Sequence, residues 1–174
     1  MNPISRAERY IEKGKYKQAL KLLAKTQKKY ETNLDLARIR FDYGKYIPFD
    51  DLHHQAAVDY FNLQIRFEVS GQKIHDDFAK YMSTTQGRIQ LDDQTLIRLS
   101  VIFASYGFEN NAVYLINRMI RAECKDSAFV DALVALINYF DEKDMHKKTE
   151  TYVDYLRFHF PDHEMTEYVL SRKI

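Results

Sequence analysis

The chain has 174 residues, of which 45% are hydrophobic and 29% charged, so it is long and apolar enough to form one globular domain with its own core. Its 5 glycines and 3 prolines are too few for the many tight turns of an all-β protein, so the composition favours helices. The net charge of +1, averaged over the whole chain, predicts no strong attraction to nucleic acid or membranes.

Apolar residues recur with helical period along most of the chain. Ten helices are predicted, over residues 4–13, 16–30, 33–44, 53–70, 73–84, 92–106, 109–123, 127–142, 146–159 and 163–172. Segments 47–52 and 85–92 are predicted to be loops. Because no strand pattern and no flexible linker is evident, we predict an all-α chain of antiparallel helix pairs. We expect residues 1–174 to form a single domain, either a complete protein or part of a longer array.

Glycines separate several of the predicted helices. The tripeptide Gly-Lys-Tyr occurs at residues 14–16 and again at 44–46. Gly71 and Gly107 lie between further helical segments. Because glycine lacks a Cβ, it adopts positive φ at low cost. We therefore expect four of the five glycines to mark turns between helices.

Three stretches of the chain have a recurring order of small, aromatic, turn and apolar residues. The first comprises Ala7, Tyr10, Gly14, Tyr16, Ala19 and Leu23; the second Leu96, Leu99, Ser100, Phe103, Gly107, Ala112, Ile116 and Met119; the third Leu133, Leu136, Phe140, Val153, Leu156 and Pro161. This order resembles that of tetratricopeptide repeats. A further copy over residues 33–46 keeps Ala37, Gly44 and Tyr46 but has Arg40 where an aromatic residue is expected, and the third stretch has Asp144 and Thr149 where glycine and alanine are expected.

The resemblance implies a fold and a class of function. The implied fold is a short α-solenoid of about ten helices, stacked as helix pairs in the manner of tetratricopeptide repeats. The implied function is binding of another protein, or a peptide segment of one, on the surface lined by the first helix of each pair. An adaptor, an assembly subunit and a chaperone-like holder all fit this description. Five positions align with that surface: Arg38, Gln94, Ser105, Asp131 and Asn138.

The near-neutral charge conceals a strong asymmetry. Residues 1–30 contain nine Lys and Arg against two Glu, a net +7, which leaves −6 on the remaining residues. Lys17, Lys21, Lys25 and Lys28 follow one another at helical spacing along one face of the second predicted helix. This row supports an alternative hypothesis, a nucleic-acid-associated or regulatory protein that uses the basic N-terminal hairpin. A solvated outer face is the simpler interpretation, and self-association stays open.

Patterns for catalysis, metals and membranes are weak. Cys124 is the single cysteine, so it has no disulfide partner in the chain and predicts a reducing, cytoplasmic location. His159 and His163 have the spacing of a metal pair, but Pro161 between them disrupts the helix that would align them. No glycine-rich phosphate loop or nucleophile elbow is present. The longest aliphatic stretch, 132–137, is far shorter than the roughly 20 residues that a membrane span needs. We expect no enzyme activity, no cofactor, no metal and no membrane partner.

Overall fold

The computed structural model describes residues 2–172, and within that range it contains ten α-helices, one 3₁₀ turn and no strand. In chain order the helices are α1 (Pro3–Glu12), α2 (Tyr16–Gln27), α3 (Leu34–Tyr43), α4 (Asp51–Arg66), α5 (Gly71–Thr84), α6 (Asp93–Ser105), α7 (Glu109–Arg121), α8 (Phe129–Glu142), α9 (His146–His159) and α10 (Glu164–Ser171), and the 3₁₀ turn covers Gly44–Tyr46. Every predicted helix is present, which confirms the all-α prediction. In residues 2–172 none of the helices is long and apolar enough to cross a membrane.

Side-chain hydrogen bonds explain two helix ends that differ from the prediction, the end of α2 and the start of α4. Helix α2 ends at Gln27, because the Gln27 side-chain amide donates to the carbonyl oxygens of Tyr30 at 2.9 Å and Asn33 at 3.2 Å and so closes the following turn. Helix α4 begins at Asp51, because the preceding Asp50 accepts a hydrogen bond from the Leu52 N–H at 3.0 Å. The predicted loop 47–52 was therefore wrong at its last two residues, which are helical.

Two of the four turn glycines adopt positive φ and two do not. Gly14 and Gly107 have φ of +67° and +78°, as predicted. Gly44 also lies between two helices, as expected, but its φ is −56°; Gly71 is the first residue of α5, so the expectation of a turn is wrong there. At Gly44 the requirement is space: a Cβ there would lie 1.6 Å from Nδ1 of His53. Asp144, which replaces a repeat glycine, takes the left-handed conformation itself, with φ of +55°.

The chain divides into two compact units, with the boundary after Asp92. In the first unit, α2 packs against α1, α3 and α4, and α4 packs against α3 and α5. Ala7 and Ala19 are completely buried, so the small side chains let α1 and α2 approach closely. Large rings fill the space between α3, α4 and α5 in tilted and edge-to-face contacts: Phe41, Tyr60, Phe61, Phe78 and Tyr81.

In the second unit, α8 packs against α6, α7, α9 and α10, so it is the central helix. Ser100, Ala112 and Thr149 are fully buried at positions where the repeat pattern requires small residues. The Ser100 hydroxyl donates to the Leu96 carbonyl oxygen at 2.7 Å, which satisfies it inside its own helix. This packing is compatible with a tetratricopeptide-like repeat. The assignment of residues 1–174 to a single domain stays a prediction.

We expect Gly44→Ala to destabilise the protein by about 3 kcal/mol, because the added methyl group would overlap the buried His53 ring. Gly14→Ala is the matched control: its φ is +67°, but nothing lies within 4 Å of the added Cβ. Only backbone strain of about 1 kcal/mol is therefore expected there. Urea unfolding followed by circular dichroism measures both. A greater loss from Gly14→Ala than from Gly44→Ala would contradict the role of Gly44 in this close contact.

Candidate functional site

Four of the five predicted groove residues lie on α6 and α8, which pack against each other in the second unit. Gln94 is exposed near the start of α6 and donates its amide to Asp126. Ser105 ends α6, and its hydroxyl donates to the Val101 carbonyl oxygen at 2.8 Å. Asp131 is exposed in the first turn of α8. Asn138 is half-buried and accepts a hydrogen bond from Arg172 at 3.4 Å. Their participation in partner binding stays a prediction.

The fifth groove residue, Arg38, lies on α3 in the first unit. Its side chain is exposed, and Nη2 lies 3.7 Å from the carboxylate of Asp35, one helical turn earlier. An exposed pair of this kind contributes little to stability, so Arg38 can change partners at low cost.

The four lysines of the predicted basic row are all exposed, but they do not have the same surroundings. Lys17 lies 2.6 Å from the carboxylate of Asp50, and this hydrogen bond raises the pKa of Lys17 and lowers that of Asp50. The positive charge of Lys21 also lowers the pKa of Asp50. Lys28, at the other end of α2, borders a cleft. The row therefore divides between two places in the first unit.

That cleft has a volume of about 590 Å³ and lies between α2 and α4, with α3 beneath it. Its lining consists mainly of polar and charged side chains: Ala24, Gln27, Lys28, Glu31, Arg40, Gln55, Asp59, Asn62 and Leu63. A volume of this order falls within the usual range for sites that bind small molecules or side chains.

A buried ion pair forms one wall of the cleft. Arg40 is only 3% exposed, and its Nη1 donates to Oδ2 of Asp59 at 2.6 Å. The other carboxylate oxygen of Asp59 accepts from the Gln55 amide at 3.0 Å. Within residues 2–172, Nε of Arg40 and Oε1 of Gln27 are buried without a hydrogen-bond partner. The polar network beside the cleft is thus incomplete, which is costly for buried groups.

A second buried polar cluster in the same unit surrounds a carboxylate with donors, while Oε1 of Gln64 in it is buried without a hydrogen-bond partner among residues 2–172. Asp77 on α5 is 6% exposed and accepts hydrogen bonds from Tyr60 at 3.0 Å, Gln64 at 2.7 Å and Lys73 at 2.6 Å. Burial, reinforced by the Asp77 charge, raises the pKa of Tyr60. Because the Asp77 carboxylate already has three donors, this cluster joins α4 to α5 and offers little to a ligand.

Two adjacent histidines on α4 form a third buried group. His53 and His54 are 1% and 4% exposed, and Nδ1 of His54 lies 2.7 Å from the Tyr81 hydroxyl, which also accepts from the Gln90 N–H at 3.2 Å. Burial, together with the neighbouring His54, lowers the pKa of His53 to about 4. His53 is therefore neutral at pH 7 and acts as a packing residue.

The sequence identifies Arg40 only as a departure from the repeat pattern and does not identify the cleft. The sequence does contain a signal for the ion pair, because a charged residue at a position that the pattern assigns to the core requires a partner of opposite charge. Asp59 satisfies this requirement from the next helix.

Residues 2–172 offer few side chains that are arranged for metal binding or thiol reactivity. Among residues 2–172 no group of three or more His, Cys, Asp or Glu side chains could hold a metal ion. The Cys124 thiol is buried, and burial raises its pKa, which disfavours the reactive thiolate.

Comparisons with known proteins give one structural likeness. No protein-family model and no curated protein matches the chain. The chain is similar to the crystal structure of PilW, described as a widely conserved type IV pilus biogenesis factor, with 12% sequence identity, 97% of this chain and 96% of that chain covered, and a TM-score of 0.35. A likeness at this level carries no argument about function, so the interpretation depends on this chain's own residues.

The buried ion pair predicts an asymmetric response to mutation. Asp59→Asn should destabilise the protein by about 3 kcal/mol, because it leaves the Arg40 charge buried without a counter-charge. Arg40→Met should cost about 1 kcal/mol, because the Asp59 side chain is 33% exposed and water can solvate it. Asp154→Asn breaks the exposed pair with Arg157 and should cost less than about 0.5 kcal/mol. Urea unfolding measures the three stabilities, and a larger loss of stability for Arg40→Met than for Asp59→Asn would contradict this account.

His53 predicts a specific pH dependence. The unfolded chain protonates His53 near pH 6.5, whereas the folded chain does so only near pH 4. Between these values the unfolded state binds more protons, so the contribution of His53 to stability is complete above pH 6.5 and declines by up to about 3 kcal/mol as the pH falls to 4. Urea midpoints across this range should fall less steeply for His53→Leu than for the wild type. His146→Leu, at an exposed position, should keep the wild-type slope; identical slopes for all three proteins would disprove the assignment.

Proposed function

We propose that this protein is a noncatalytic protein-interaction module, an adaptor or assembly subunit of the cytoplasm, that binds a segment of a partner protein on its helical surface. The observation that carries the proposal is the polar cleft between α2 and α4, with its incomplete hydrogen-bond network at Arg40 and Gln27. A site that holds a partner segment needs this combination of space and polar groups, whereas catalysis needs an activated nucleophile or an acid–base pair.

Amide side chains in the cleft suit the backbone of a bound peptide. Gln55 and Asn62 line it from α4, about two turns apart on the same helix. A primary amide has two N–H donors and one acceptor oxygen, and the Gln55 amide uses one donor on Asp59, so its remaining groups can pair with peptide N–H and C=O groups in either chain direction. Recognition of this kind depends on shape and backbone rather than on one particular side chain.

The charges around the cleft favour a partner segment that itself carries both signs. Lys28 and Glu31 lie on the α2 side of the cleft. Asp59, whose side chain is 33% exposed, lies on the α4 side. Complementary charges on the partner orient the encounter and raise its rate more than they raise affinity. Arg38 on α3, and Gln94, Ser105, Asp131 and Asn138 on α6 and α8, form the further contact surfaces within this proposal.

Site-specific photo-crosslinking tests the proposal in native cells. A benzoylphenylalanine at position 55 should give a discrete product with one partner protein, which mass spectrometry identifies. The same group at position 72, which is exposed on α5 and does not line the cleft, should not give that product. Equal products from both positions, or products that contain nucleic acid or only this chain, would contradict a partner-binding cleft.

A matched pair of charge reversals adds a second measurement. Lys28→Glu changes a residue that lines the cleft and should reduce the position-55 product at least fivefold, which corresponds to about 1 kcal/mol. Lys25→Glu makes the same change one turn earlier, at an exposed residue of α2 outside the cleft lining, and should leave the yield unchanged. An equal reduction by both variants would show that overall charge, rather than the cleft, governs binding.

A further inference from the structure

Exposed aromatic rings gather in the first unit where the start of α2 meets the segment that joins α3 to α4. The rings of Tyr16 and Tyr46 are stacked, with their centroids 4.7 Å apart and their planes within 5°. Tyr46 is 39% exposed, and Phe49, three residues later, is 47% exposed. The stacking uses one face of the Tyr46 ring, and the exposed parts of Tyr46 and Phe49 are accessible to a partner.

Cations surround these rings. The Lys45 ammonium lies 5.1 Å from the centroid of the Tyr46 ring, and the Arg88 guanidinium lies 4.9 Å from that of Phe49. Lys15 borders a shallow depression beside Tyr16. We call the set of Lys15, Tyr16, Lys45, Tyr46, Phe49 and Arg88 the aromatic–basic surface.

The two carboxylates that act on Lys17, Asp50 and Asp51, are outnumbered by the nearby cations Lys15, Lys17, Lys21, Lys45 and Arg88. Asp50 is paired with Lys17 at 2.6 Å and also caps α4, so it is already engaged. Lys21 acts on the same carboxylate, which adds a further cation. The first 92 residues contain 16 Lys and Arg against 12 Asp and Glu, a net +4, whereas residues 93–174 contain 10 against 13, a net −3. The field of the first unit therefore favours an anionic partner.

We propose that the aromatic–basic surface binds single-stranded nucleic acid, with bases stacked on Tyr46 and Phe49 and phosphates paired with Lys15, Lys45 and Arg88. This goes beyond the proposed function, because it uses a different surface and a different class of partner. Stacking on aromatic rings combined with phosphate contacts is the usual chemistry of single-strand binding.

The arrangement of cations over rings supplies a simple route to binding. A base takes the place of the Lys45 ammonium on the Tyr46 ring, and the flexible lysine turns to the adjoining phosphate. The Arg88 guanidinium makes the same exchange at Phe49. A duplex cannot do this, because its bases are already stacked on one another. An acidic peptide pairs with the lysines but has no repeating aromatic faces for the two rings.

Binding of the full chain to fluorescein-labelled 12-nucleotide oligo(U) and oligo(dT), followed by fluorescence anisotropy, tests the proposal. Both probes should bind at low salt and weaken as salt increases. Tyr46→Ala and Phe49→Ala should each reduce affinity about tenfold, since each removes one stacking platform. Lys45→Gln should weaken binding and lower the slope of log affinity against log salt by about one, because one phosphate contact is lost. Circular dichroism and urea unfolding establish that each variant is folded.

The second unit contains a matched control. There the Arg172 guanidinium lies 5.4 Å from the centroid of Tyr168, a ring that is 50% exposed, but the unit is acidic. Tyr168→Ala should therefore leave oligonucleotide affinity unchanged. The proposal is overturned by an absence of binding at low salt, by equal affinity of wild type, Tyr46→Ala and Phe49→Ala, or by binding to polyglutamate or duplex DNA as tight as to the single strands.

Discussion

Close contact between paired helices is the constraint on which both units depend. Where α1 meets α2 the side chains are Ala7 and Ala19, and in the second unit Ser100 and Ala112 have the same role, all fully buried. Replacing any of them with a larger side chain would separate the helices and expose the rings and aliphatic groups packed beside them. Polar groups are also buried between the helices, where they are hydrogen-bonded across helix pairs, as Asp77 is to Tyr60 and His54 to Tyr81.

The sequence predicts this packing well, because it is encoded locally. Helical period, turn glycines and small residues at fixed spacing identify all ten helices within residues 2–172. Contacts between distant residues are not encoded in this way. The sequence around Gly44 predicts a turn glycine. The structure requires glycine there for a different reason, because the His53 ring on the following helix lies against the Gly44 backbone. The same limit applies to Arg40 and its partner Asp59, which no periodicity connects.

The candidate sites show the same limit more strongly. A row of lysines on α2 is predictable from spacing, but the pairing of Lys17 with Asp50 depends on where the chain returns after α3. The stacking of Tyr16 on Tyr46 depends on that return as well, and the repeat pattern assigns Tyr16 to packing. Charge totals can be read from the sequence; which charges stay available to a partner is decided by tertiary structure.

Helix α2 connects the two proposed sites, since its first turn borders the aromatic–basic surface and its last turn borders the cleft. Its 12 residues span roughly 18 Å at 1.5 Å per residue. This is about twice the Debye length of about 8 Å at physiological ionic strength, so charge bound at one end is largely screened from the other. A nucleic acid and a protein segment would therefore bind with little electrostatic coupling. Any strong coupling between them would have to pass through α2 itself, by a shift of the helix against α3 and α4, and the closely packed contacts of that helix oppose such a movement.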